Sequence, residues 1–147
     1  MWKRLVETGD DRTLFLIRVM LGLVMFPHGA QKALGWFGGF GWSGTVGYFT
    51  GTLGVPTIVA VLIILGEFLG AIGLITGTLT RIAAAGFVII QLGAIWYAHW
   101  QFGFFMNWAG TAKGEGFEYA LLAITMAVVL VLGGGGRWSV DRSLATR

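Results

Sequence analysis

Polar positions along this chain fall into blocks that separate four long apolar runs, approximately Thr13–Leu34, Pro56–Gly77, Ile82–Trp100 and Phe117–Leu132. Each is about 20 residues, enough for a helix to cross roughly 30 Å of hydrocarbon. Backbone groups in lipid must be paired within the structure, which leaves helices or closed barrels. Barrel strands are about half this length and alternate polar with apolar residues; these runs do neither. The pattern predicts an all-α polytopic membrane protein, a single domain over residues 1–147 built as a four-transmembrane-helix bundle.

The connecting segments differ in character. Gly35 to Val55 is uncharged and rich in glycine and aromatic residues. Ser43 is placed to cap a short helix over Thr45–Thr50, in the interface or folded back over the bundle. Pro56 suits the first turn of the second run. Gln101 to Gly116 carries Phe102, Phe104, Phe105, Met106, Asn107 and Trp108, while Thr78–Thr80 leaves room for a tight turn. A faint parallel repeat pairs Arg18 with Arg81, His28 with His99 and Glu67 with Glu118.

Composition agrees with the pattern. Residues are 56% hydrophobic and 12% charged, half the charged share of about 25% in soluble domains, and mean hydropathy is +0.77. The net charge of +3 is too dispersed for a nucleic-acid surface; it sets topology instead. Lys3, Arg4, Arg12, Arg18, Arg81, Arg137, Arg142 and Arg147 fall on one side and Lys32 and Lys113 on the other. This bias places the N and C termini in the cytoplasm of a bacterial inner (cytoplasmic) membrane. Trp36, Trp42, Trp100 and Trp108 stand where outer interface anchors belong, and Trp2 and Trp138 where inner ones do. The charged N-terminus before a long apolar run, with no small-residue cleavage site, reads as a retained signal anchor. With no cysteine, the chain offers no disulfide, thiolate or cysteine-ligated metal.

Ionisable residues inside apolar spans are costly and mark interior contacts or function. Arg18 shares a helical face with Gly22, Met25, Gly29 and Lys32, which predicts an inward, partnered side chain. Glu67 is the deepest charge, beside the glycine row Gly66, Gly70, Gly73 and Gly77 that admits a close neighbour. It reads as a structural carboxyl in a packing seam or as a proton carrier. With Arg18 or Arg81 it would organise the bundle by buried ion pairing, and Gln91 adds a polar group deep in the third run.

His28, Gln31 and Lys32 cluster at the outer end of the first run, where Pro27 removes one helical hydrogen bond. His99 and Glu118 lie at similar depth. His28, Lys32, His99 and Glu118 therefore form the candidate cofactor site, with Arg18, Glu67, Arg81 and Gln91 in structural or proton-linked roles. Two facing histidines could bind haem or hold a metal with Glu118, but no CxxCH or HExxH spacing is present, so no metal site is assigned. Imidazole, carboxyl and aromatic groups together suit a quinone head-group exchanging protons. The plain alternative is that these residues satisfy loop carbonyls at the interface.

The arrangement resembles the DoxX family of small four-helix bacterial membrane proteins over nearly the whole chain. The resemblance rests on Arg18, the His28-Gly29 and Lys32 segment, Glu67 among glycines, Gly77 to Arg81, and His99. It continues through Gly103-Phe104-Phe105-Met106-Asn107-Trp108, Gly114 to Tyr119, and Gly136 with Ser139-Val140-Asp141. It implies a fold more than an activity, since members include a thiosulfate:quinone oxidoreductase membrane subunit and a protein linking thiol-handling to superoxide-detoxifying enzymes. The expectation is a redox-associated inner-membrane protein, a quinone-binding subunit of an oxidoreductase system. An accessory subunit packed on a larger membrane or periplasmic partner is the alternative, a small transporter the third reading, and homo-oligomers are compatible with all three.

Overall fold

The computed structural model describes residues 2–146; the side chains of Trp2 and Arg4, and Arg147, which entered the expectation for the inner face, lie outside the described residues. Among the described residues the chain is all helical. Short α1 (Trp2–Val6) leads into α2 (Arg12–Leu34), and α3 (Gly41–Gly51) follows a single 3-10 turn. Next come α4 (Thr57–Thr76) and α5 (Thr80–Ala94), which continues through a π turn, Ile95–His99, and a 3-10 turn to Phe102. α6 (Glu118–Gly133) and the short α7 (Val140–Ala145) complete the chain.

Three of these helices, α2, α4 and the α5 unit, are long and apolar enough to cross a membrane. α6 is apolar but has 16 residues, about 24 Å of helix. Their outward sides carry a girdle of exposed apolar residues, including Leu16, Leu23, Ile58, Leu62, Ile89, Leu122 and Leu132. In water such a surface would be untenable for a chain this size; in lipid it is solvated.

Local chemistry explains where each element starts and stops. Asp11 caps α2 by accepting from the amides of Thr13 and Leu14 at 2.6 and 3.3 Å. α2 runs unbroken through Pro27 and ends at Gly35, whose φ of 74° suits glycine. α4 begins after Pro56 and closes at Gly77 with the same φ. In the following turn Leu79 also takes a positive φ, 51°, a conformation costing about 1–2 kcal/mol in a residue with a side chain. Asp141 holds it there, its carboxylate accepting from the amides of Leu79 and Thr80 at 2.7 and 2.8 Å.

The segment between α2 and α4 corrects one expectation. Its helix covers Gly41–Gly51, not Thr45–Thr50, and Ser43 lies inside it while the cap position, Phe40, makes no side-chain bond. Packing, not capping, fixes this helix. Gly39 sits directly on the backbone of Gln31, leaving no room for a Cβ, and α3 folds back against α2 and α4.

Glycines set the spacing of the bundle. A Cβ on Gly29 would lie 2.6 Å from the Phe68 Cα, and one on Gly22 would press on Ile75 and Ala71, so α2 and α4 meet backbone to backbone. Gly66 and Gly70 instead receive Ile90 and Phe87 of α5. The core behind these seams joins Leu21, Met25, Leu74, Phe87, Ala127 and Leu130. Lipid tails are as apolar as these side chains, so close packing holds the helices together.

Candidate functional site

The buried polar residues separate into two groups at opposite ends of the bundle. Arg18, fully buried, has four carbonyl partners and, among the described residues, no carboxylate partner. Its Nε donates to Gly135 O at 2.9 Å, Nη1 to Leu74 O and Ile75 O, and Nη2 to Trp138 O. Arg81 does the same for α6, donating to Val131 O, Leu132 O and Glu7 O. Each arginine satisfies last-turn carbonyls of a neighbouring helix, which have no partner within that helix. The ion pairing expected between Glu67 and Arg18 or Arg81 is therefore corrected. Carbonyl groups, not Glu67, neutralise the cost of burying these cations.

The partner of Glu67 is Lys32. Lys32 Nζ lies 2.6 Å from Glu67 Oε2, reaching across the α2–α4 seam that Gly29 keeps close. The Glu67 side chain is 7% exposed and that of Lys32 26%, so the pair is sheltered on the carboxylate side and open on the ammonium side. A buried ion pair gains little net stability, but losing one partner strands a charge, at about 3–5 kcal/mol.

Two cavities share this pair. A polar one of about 250 Å³ is lined by Met25, His28, Lys32, Glu67, Gln91, His99, Met106 and Tyr119, among others. An apolar groove of about 330 Å³ lies between α3, α4 and α5, lined by Phe49, Leu53, Val59, Ile63, Ile90 and Tyr97 with Lys32, Glu67 and His99. Lys32, Glu67, Ala94 and His99 border both.

The polar wall is ordered by its own bonds. Gln91 Nε2 and Tyr119 Oη both donate to the Met25 thioether at 3.5 Å. The His28 ring stands 6.1 Å from that of Tyr119. The π turn at Ile95–His99 carries His99, whose Nδ1 lies 2.9 Å from the Glu115 carbonyl oxygen. A carbonyl oxygen can only accept, so Nδ1 donates in this contact and Nε2 is the ring nitrogen without a partner among the described residues.

Of the four expected cofactor residues, His28, Lys32 and His99 meet here. Glu118 stands outside the cavity lining, its Oε1 accepting from Met106 N at 2.8 Å and Trp108 Nε1 at 3.0 Å, which fastens the loop before α6. Glu67 and Gln91, expected in structural or proton-linked roles, belong to the cavity wall. Sequence reasoning missed Tyr119 and the groove itself. Tyr119, a polar-tipped aromatic beside Glu118 at the mouth of an apolar run, carried a readable signal; the groove residues are ordinary apolar side chains and carried none.

Comparison with known proteins agrees with this architecture. The chain is 34% identical over 80 residues to "Putative oxidoreductase CatD" of Bacillus subtilis (strain 168), an alignment covering 54% of each chain. The match thus spans about half the length of that curated relative. No solved structure matches the chain. The family model of DoxX matches residues 13–100, which takes in α2 to α5, the Lys32–Glu67 pair and His99, and the chain belongs to the DoxX family.

Proposed function

We propose that this protein is a quinone-binding subunit of an oxidoreductase system in the bacterial inner membrane. Its four helices α2, α4, α5 and α6 span the bilayer, with both termini in the cytoplasm. One observation carries the reading: an apolar groove in the lipid-facing part of the bundle closes on a lysine–glutamate pair and a histidine with a free ring nitrogen. A quinone needs that combination, an apolar slot for its tail and proton-active groups at its ring. The bound group would supply a two-electron, two-proton couple. The chain's part is to orient it and manage protons. Lys32 would hydrogen-bond a ring oxygen, Glu67 would hold the ammonium in place, and His99 Nε2 would accept or return a proton. His28, Gln91 and Tyr119 would keep the adjoining chamber polar. The printed name of the Bacillus relative supports an oxidoreductase context.

Protein purified in mild detergent is expected to retain quinone, measured by mass spectrometry of the lipid extract. His99→Ala and Lys32→Ala should each lower the molar ratio about tenfold, roughly the value of one hydrogen bond. Equal quinone in wild type and both variants would remove the site. An accessory-subunit reading is favoured by a separate observation: a Cβ on Gly86 would meet nothing within 4 Å, on a helix whose Ile89 and Trp96 are also exposed. Such a face could seat a partner helix. Co-purification of a defined partner without quinone would select that reading.

A further inference from the structure

At the end of the bundle opposite the ion pair, the two chain termini cross and form a cationic cleft. Thr8 Oγ1 donates to Gly133 O at 3.2 Å and the Arg137 amide to Asp11 O at 3.0 Å. These contacts bring the start of α2 beside the end of α6. The cleft has a volume of about 450 Å³ and is lined by Asp10, Arg137, Trp138, Arg142, Ser143 and Thr146, with Ser139.

Its charge is unbalanced. Asp10 accepts from Arg142 and lies 3.3 Å from Arg137 Nε, and Arg12 also acts on that carboxylate. Among the described residues lining the cleft, one carboxylate thus meets two guanidinium groups. Each arginine has five N–H donors, and Arg137 and Arg142 each commit one group to Asp10, the rest of both forks having no side-chain acceptor among the described residues. Both side chains are about one-third exposed.

With the apolar spans placed in a bilayer, the cleft falls at the depth of the head-groups. It opens where the apolar spans begin at Arg12 and end at Gly133. Trp138 stands on its rim, 64% exposed, with the Arg137 guanidinium 4.8 Å from its ring and Phe15 edge-on at 4.9 Å. Its φ of 54° is unusual for a bulky residue. The Trp138 carbonyl accepts from Arg18, which fixes the backbone of this residue.

We propose that this cleft binds the phosphodiester of an anionic phospholipid, Arg137 and Arg142 clasping the phosphate while Trp138 and Phe15 border its acyl chains. Guanidinium forks match phosphate oxygens two at a time, and basic pockets at this face of a membrane protein draw anionic head-groups.

The test uses the full-length protein, stripped of lipid in detergent and offered phosphatidylglycerol, phosphatidylcholine or inorganic phosphate, with retention read by native mass spectrometry. Wild type should keep phosphatidylglycerol in preference to phosphatidylcholine. The double variant Arg137→Gln/Arg142→Gln should retain at least about tenfold less, and Lys113→Gln, at the other end of the molecule, should match wild type. Asp10→Asn removes the competing carboxylate and should raise retention. This opposite sign separates a binding site from a structural cluster, because loss of a merely structural contact would lower retention in both variants. Equal retention of the two lipids, unchanged retention in the double variant, or lower retention in Asp10→Asn would each overturn the proposal. Displacement of phosphatidylglycerol by millimolar inorganic phosphate would assign the cleft to a soluble phosphate compound and overturn the lipid assignment.

Discussion

Lys32 and Glu67 are 35 positions apart in the chain and 2.6 Å apart in the fold, and the asymmetry of buried ion pairs makes their contribution measurable. Lys32→Ala or Glu67→Ala leaves one charge stranded and is expected to destabilise by about 3 kcal/mol. Replacing both, as Lys32→Met/Glu67→Leu, should recover most of that loss while abolishing quinone retention. Thermal unfolding in detergent across the four proteins reads the stability side. A double variant as unstable as the sum of the singles would show that the pair is held by contacts other than each other. Gly29 sets the distance between them. Gly29→Ala would put a Cβ 2.6 Å from Phe68 Cα, and prying the helices apart is expected to cost about 1–3 kcal/mol. Gly86→Ala meets nothing within 4 Å and should unfold like wild type.

At the scale of elements, Arg18 and Arg81 perform the same task on successive helix pairs. Arg18 from α2 serves the end of α4, and Arg81 from α5 serves the end of α6. Arg18→Gln is expected to destabilise more than Arg81→Gln, by about 3 kcal/mol against 1–2, because fully buried Arg18 strands more carbonyls. Equal losses in unfolding midpoint would count against this reading. The apolar runs made the long helices and the placement of both arginines legible in the sequence, since length and charge position are local properties. The partners were not legible. The expected repeat matched His28 with His99 and Glu67 with Glu118, yet His28 follows Arg18 by ten residues and His99 follows Arg81 by eighteen. In the fold, Glu67 joins Lys32 while Glu118 accepts from the Met106 amide and the Trp108 indole. A carboxylate's choice between a lysine and the N–H donors of a loop depends on helix register, which hydropathy does not encode. The π turn that carries His99, and α3 seated by Gly39 rather than Ser43, likewise arise from packing.

Across the whole molecule, the apolar groove and the arginine cleft stand at opposite ends of one bundle, and each has its own chemistry. The exposed Asp10 carboxyl is held below its ordinary 3.8 by the hydrogen bond from Arg142, with the charges of Arg137, Arg142 and Arg12 adding to it. A depressed carboxyl contributes its attraction above the ordinary value and loses it as pH falls through the lowered one. The link between the termini should therefore persist at pH 5 and weaken only below about pH 4. Hydrogen exchange of the Arg137 amide, which donates to Asp11 O, would follow it; loosening already at pH 5 would contradict the assignment. The central claim concerns the other end. A photoactivatable quinone analogue, irradiated on the purified full-length protein and mapped by peptide mass spectrometry, tests it most directly. The account predicts labelling of the groove segments of α4 and α5, Val59 to Glu67 and Ile89 to His99, suppressed by excess unlabelled quinone and lost in His99→Ala. Labelling spread over the lipid-facing surface, or undiminished by competitor, would contradict it.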